Sequence, residues 1–410
     1  MPNRPSSSIQ VPIITIQNQP QLSYTIGPES CEIGDGGYSR VYKAVEVNSG
    51  QVVALKKSRV SLKVKRPHLR YESWILHLFQ GHPAIPKIYG YGQSEHFEYI
   101  SMEILGTSVR DKIAGKSIGL PVITVVRIVE QALSALKNVH KHGLIHRDIK
   151  PENFLYSNND RSRIMLIDFG LTKRATSGLP KTRDPLKEKK SIVGTLPWAS
   201  LNSHRGTGWS NVIPIRTVVD LAARDDLESL AYTALFLLRG NMPWHKKFNP
   251  REPTLRTQTR VYRFKSAFSG SQLVMNFPSD FAYLLDYSRN LDYHRFPNYD
   301  DLENRFSTLA DSLGGYSKSD PLDWTPVQVP VDQTDVQVLH QSDLNEGDDA
   351  DYEPGDSDSS DHTNSYNDWD LDLWDDRHGS RDASLTLPTE VEEFVNSELP
   401  SITKVRLIPL

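Results

Sequence analysis

In HRDIKPENFLYSNNDRSRIMLIDFG, residues 146–170, four side chains stand at spacings suited to chemistry: Asp148, Lys150, Asn153 and Asp168. A carboxylate in a loop after a helix, as Asp148 is placed, can accept or orient the proton of an alcohol. A lysine two residues later can stabilise charge on a transferring phosphoryl group. Asn153 and Asp168 carry the hard oxygen donors that magnesium takes. RIMLIDFG sets Asp168 at the end of an apolar strand, just before Gly170, where the chain can turn. Any one of the four alone would serve as a helix cap or a surface charge. Packing gives no reason for all of them in this order.

Two further features lie upstream. IGDGGYSRVYKA (33–44) sets Gly34 and Gly36 between strand-like segments. Glycines there let backbone amides approach a phosphate chain closely, although an ordinary glycine hairpin reads the same way. VALK places Lys56 on a strand that should be mostly buried. A buried ammonium needs a partner, and either an anionic phosphate or Glu72 on the following helix qualifies; a plain surface lysine is the alternative.

These residues require particular elements to position them. From Tyr24 to about Glu103, apolar and polar residues alternate and strands dominate, as in RVYKAVEV (40–47), QVVALKK (51–57) and FEYISMEI (97–104). One helix interrupts them within 66–83, with Pro67 at its start, Gly81 and Pro83 at its end, and Glu72, Ile75, Leu76 and Phe79 on one face. After Gly106 the period becomes helical: 122–143, 225–240 and 281–291 read as helices, the second apolar on nearly all sides. The expected fold is α+β and bilobal, with a small strand-rich lobe at about 23–104 and a larger helical lobe at about 105–314. A flexible arm is expected at 1–22 and an acidic tail at 315–410. Ligand clefts favour such a junction of lobes.

Composition narrows the classes. No apolar run reaches 18 residues, and MPNRPSSSIQ lacks a secretory core, so no membrane association is expected. Cys31 is the only cysteine, so no internal disulfide can form; a reducing compartment follows, cytoplasmic, with the nucleus also open because KEKK (187–190) is too short to decide. The net charge of −4 conceals a split: residues 316–410 hold 23 Asp/Glu against 5 Lys/Arg, leaving +14 on the rest. A basic body suits acidic ligands, and the tail can compete for the same surface or simply aid solubility. The stretch 346–376 has too few apolar residues to offset chain entropy, which predicts disorder. A monomer without a nucleic-acid partner is expected.

Taken together, residues 24–312 resemble the protein kinases: a glycine-rich loop, the lysine of VALK, HRDIKPEN and DFG. Lys150, two residues after the aspartate, resembles the serine/threonine class. YESWILHLFQG (71–81), MEILGTSV (102–109), GTLPWASLNSHRG (194–206), RDDLESLAY (224–232) and RGNMPW (239–244) are similar to the casein kinase 1 family. The resemblance implies a protein kinase using ATP and Mg2+. It gives Asp148 the role of catalytic base assisted by Lys150, and pairs Lys56 with Glu72 at the α- and β-phosphates. Ile33, Gly34, Gly36, Val41, Ala54, Lys56, Met102 as gatekeeper, Glu103 and the hinge residue Leu105 would line the nucleotide site. Asn153 and Asp168 would hold the metal. Thr195 would orient the catalytic loop and Asp226 would anchor it. Acceptors would be acidic or prephosphorylated proteins.

The departures from the family pattern are specific. Ser39 replaces the third glycine of the loop. Ala199-Ser200-Leu201-Asn202 stands where most kinases have Ala-Pro-Glu, as in the casein kinase 1 family. Ala223-Arg224 replaces a pair of arginines, which puts recognition of primed substrates in question, and 206–221 holds extra residues. A pseudokinase scaffold is the competing reading; its usual mark, loss of the lysine or a catalytic aspartate, is absent. In the tail, Ser359 follows Asp356 by three residues, so autophosphorylation and partial autoinhibition are expected there.

Overall fold

The computed structural model describes residues 13–16, 22–26, 32–36, 39–60, 68–94, 96–113, 119–176, 192–205, 220–245 and 254–325. The chain divides into two units, and the second, residues 330–395, lies outside that set. So do residues 326–410, KEKK and nearly all of the 206–221 insertion.

The first lobe is a curled antiparallel sheet of β1 (Ile13–Ile16), β2 (Leu22–Ile26), β3 (Glu32–Gly36), β4 (Ser39–Glu46), β5 (Val52–Arg59), β6 (Ile88–Gln93) and β7 (Phe97–Met102). Its order is β1-β2-β4-β5-β7-β6, with β3 also on β4. Strand alternation divides β5 between two faces. Val53 and Leu55 pack with Tyr24, Ala44 and Tyr99 on one side. The register sets Val41 opposite Lys56 and Ala54 opposite Met102, so these four share the other face. The arm expected at 1–22 contains β1: IITI is a run of β-formers, and Ile13 pairs opposite Thr25 on β2. Helix α1 (His68–Leu78) follows β5, with Glu72, Ile75, Leu76 and Phe79 all buried, as their spacing requires.

The second lobe is built on helices α2 (Val109–Ile113), α3 (Val122–Lys141), α4 (Leu201–Arg205), α5 (Ala223–Arg239), α6 (Thr254–Ala267), α7 (Gly270–Val274), α8 (Ser279–Asn290) and α9 (Tyr299–Ser312). Short strand pairs, β8 (Leu144–Ile145) with β11 (Lys173–Arg174) and β9 (Phe154–Tyr156) with β10 (Ile164–Leu166), carry the loops between α3 and α4. Residues 225–238 of α5 are buried on every side, so this helix is the axis of the lobe. Its first turn is capped by Asp225, whose carboxylate accepts the Ala222 N–H at 2.7 Å, and Gly240 ends it in the left-handed region. Among the described residues no helix is long and apolar enough to cross a membrane.

The helical lobe does not stop at 314. Arg127 and Thr124 are buried on α3 and need acceptors. Residues beyond α9 supply them: the Arg127 guanidinium donates to the Asp320 and Pro321 carbonyls and lies over the Tyr316 ring, and the Thr124 hydroxyl donates to Asp323 O at 2.7 Å. Leu322 is buried, and its N–H donates to Arg161 O at 3.0 Å. The boundary therefore moves from 314 to at least Thr325, because acceptors for buried donors on α3 lie in this strap.

Candidate active site

Lys56 has the carboxylate partner its burial demands. Its Nζ donates to both oxygens of Glu72, at 2.8 and 2.7 Å, and to Asp168 Oδ1 at 3.0 Å. Burial would lower its pKa, but the Asp168 and Glu72 carboxylates outweigh that and raise it, so the ammonium stays charged. The Lys56 ammonium in turn pulls Asp168 down to about 2, against the effect of burial. Asp168 itself sits in the left-handed region, φ 65°, and so does Arg147, φ 71°. Such conformations cost about 1–3 kcal/mol each and persist only where neighbours over-determine them.

Asp226, from the first turn of α5, provides that constraint at Arg147. Its oxygens accept the backbone N–H groups of His146, at 2.7 Å, and Arg147, at 2.8 Å. The ring of His140 adds a third contact at 2.9 Å, and Tyr299 closes on the far ring nitrogen at 2.5 Å. Burial opposes the charge on Asp226, but these contacts hold its pKa below the ordinary value. His146 joins the two halves of the site: its Nδ1 accepts the Asp148 N–H at 3.3 Å while Nε2–H donates to Ile167 O at 3.2 Å. Burial keeps this imidazole neutral, which that pair of bonds requires.

Asp148 is held from three sides. Thr195 donates to its Oδ1 from the backbone, at 3.0 Å, and from the hydroxyl, at 2.8 Å. Lys150 Nζ lies 2.7 Å from Oδ2 and donates to the Thr195 hydroxyl at 2.9 Å. Asn153 Nδ2 donates to the Asp148 carbonyl at 2.8 Å, so the amide oxygen is the atom it could offer a cation. Gly194 makes the approach of Thr195 possible: its φ is 87°, and a Cβ there would stand 2.5 Å from Arg147 O.

The residues expected at a nucleotide site are placed as their strands dictate. Ile33 is half exposed, and a Cβ on Gly34 would meet only Val41, at 3.6 Å, so the backbone remains open to a close ligand. Gly36 pairs opposite Ser39, while the loop tip, 37–38, is outside the described residues. The Glu103 carboxylate is committed elsewhere, accepting from Lys87 N and Asn159 Nδ2 at 3.2 Å each, so only its backbone remains to meet a ligand. Leu105 follows in the partly buried connector, and Gly106 donates its N–H to Tyr156 O at 2.9 Å. The donor set fits ATP with magnesium: one carboxylate and one amide oxygen, completed by phosphates and water, is how Mg2+ is commonly held.

Residues 29–206 match the family model of the protein kinase domain. That stretch is similar to a protein kinase domain. The folded lobe extends past the matched stretch, since α5 to α9 and the strap complete it. The segment at Ala199-Ser200-Leu201-Asn202, which has no Ala-Pro-Glu, is anchored from α5. Ser200 Oγ and Asn202 Nδ2 donate to Asp225 Oδ1 at 2.7 and 3.0 Å, and Leu201 N–H donates to Glu228 Oε2 at 3.2 Å. The carboxylates come from α5 rather than from the segment itself.

Sequence reasoning missed His140, His146 and Tyr299. His140 falls in the last turn of α3, where a histidine reads as a helix end, and Tyr299 lies 159 residues from it. No spacing rule connects them.

Proposed function

We propose that the protein is a serine/threonine kinase of casein kinase 1 type, moving the γ-phosphoryl group of ATP to Ser or Thr hydroxyls of acidic proteins. The observation that carries this is Lys150, whose Nζ spans Asp148 Oδ2 at 2.7 Å and the Thr195 hydroxyl at 2.9 Å. That places a cation beside the base, where charge develops during transfer. Asp148 receives the acceptor's proton as its oxygen bonds phosphorus and the bond to the β-phosphate oxygen breaks, releasing ADP. Lys56, fixed by Glu72, binds the α- and β-phosphates. Magnesium held by Asn153 and Asp168 would neutralise repulsion among the phosphate oxygens. The closed Lys56–Glu72 pair and the retained aspartates favour catalysis over a pseudokinase scaffold.

The basic body supports acidic acceptors. Primed acceptors are less favoured, since Ala223 lacks a cation and Arg224 is turned to Leu291 O, 2.7 Å away, and to the Tyr293 ring. A monomer acting in the cytoplasm or nucleus, inhibited in part by its own acidic tail, completes the reading. Asp148→Asn should abolish phosphate transfer to an acidic serine peptide while preserving the thermal shift with Mg-ATP; undiminished transfer would reject the assignment. A peptide panel of acidic, phosphorylated and neutral acceptors separates the substrate classes.

A further inference from the structure

Lys265 of α6 is 0 % exposed, yet the sequence around it, TLRTQTRVYRFKSA, reads as a polar surface helix. Its Nζ donates to the carbonyls of Leu196, at 3.0 Å, and Ala199, at 2.6 Å, and lies 3.3 Å from His204 Nε2. No carboxylate is paired with it among the described residues. The ammonium instead sits over the Tyr232 and Trp244 rings, with Glu228 favouring its charge and Arg289 opposing it. Trp244, also fully buried, donates its indole N–H to Pro197 O at 3.0 Å. Three carbonyls of one short turn, 196, 197 and 199, are thus held from beneath by two side chains. The turn closes on Thr195 O, which accepts the N–H groups of Trp198 and Ala199, and Thr195 faces Asp148.

An unpaired lysine in such a place is costly unless it has a task. We propose that Lys265, with Trp244, is a positioning residue that clamps segment 195–199 as the platform on which the acceptor peptide lies. The segment borders Asp148, so its outer side is where residues flanking the acceptor hydroxyl must rest. Burial drives the lysine's pKa well below its ordinary value, but the clamp survives loss of the proton. A neutral amine keeps two donors for the two carbonyls and offers its lone pair to the His204 N–H. The proposal rests on the kinase reading, because only an acceptor gives the platform a use.

The test uses the full chain, with Lys265→Met and Trp244→Phe variants and an acidic serine peptide. Losing bonds of this kind should raise the peptide KM about tenfold for Lys265→Met and about threefold for Trp244→Phe. The KM for ATP and the thermal shift with Mg-ATP should stay within about twofold, a split that general loss of stability would not produce. Hydrogen exchange across 192–205 should quicken in both variants, with 144–156 still protected. Folded variants with wild-type peptide KM and wild-type exchange would overturn the proposal. If Lys265→Met does not fold, Trp244→Phe decides alone. If the wild-type protein transfers no phosphate, the kinase reading fails, and the exchange measurement still decides whether the clamp exists.

Discussion

Thr195 grips Asp148 twice, its backbone N–H and its hydroxyl both donating to Oδ1, at 3.0 and 2.8 Å. The proposed base is therefore oriented by a residue 47 positions away. Thr195→Val removes the hydroxyl bond and the one Lys150 makes to it, while the backbone bond remains. Hydrogen bonds to charged groups contribute about 1.5–3 kcal/mol, so kcat should fall roughly ten- to hundredfold. Thr195→Ser should restore most of it, and Mg-ATP binding by thermal shift should be unchanged in both.

Asp226 supports the loop at His146 and Arg147 from behind. Asp226→Asn replaces an acceptor of three donors with an amide whose NH2 must face at least one N–H. Leaving a buried donor unsatisfied costs about 1–3 kcal/mol. Urea unfolding should show that loss, together with a large drop in transfer; unchanged stability would mean the loop is held by other contacts.

The strap beyond α9 is part of the folded lobe. A chain ending at Gly314 leaves the Arg127 and Thr124 donors without their acceptors and should lose about 3 kcal/mol or more. A chain ending at Thr325 should unfold at the same urea concentration as the full protein. Tail inhibition is therefore read by comparing the full chain with the chain ending at Thr325 at low salt. Equal activity would exclude it.

His245 packs edge-on against Trp198 and Phe236, and burial, with Arg110 and Lys265 nearby, lowers its pKa to about 4. The folded value lies below the unfolded 6.5, so the unfolded chain binds the extra proton first as pH falls. Its contribution to stability is complete above pH 6.5 and is lost as pH falls towards 4. Between pH 7 and pH 5 this should cost roughly 2 kcal/mol. Denaturation of His245→Gln should show a pH dependence smaller by that amount. An identical slope would show that other groups carry the acid sensitivity.

Much of the site was legible along the chain, because its members lie close in sequence or on strands and helices with plain periods. Asp148, Lys150 and Asn153 share one loop, and two-residue alternation in β5 places Ala54 and Lys56 on one face. Glu72 falls on the buried face of α1 by helical spacing. Other features depended on long-range contacts. Lys265 reads as solvent-facing because its helix is polar, and only packing against α4 and α5 brings the 196 and 199 carbonyls to it. Arg127 gives no hint that residues 320–321 will satisfy it, so composition placed the domain end too early. Residue type and local period determined which side chains could take part in chemistry. Tertiary structure alone decided which backbone groups hold them, since a carbonyl or an N–H is identical at every position until the fold brings one within reach.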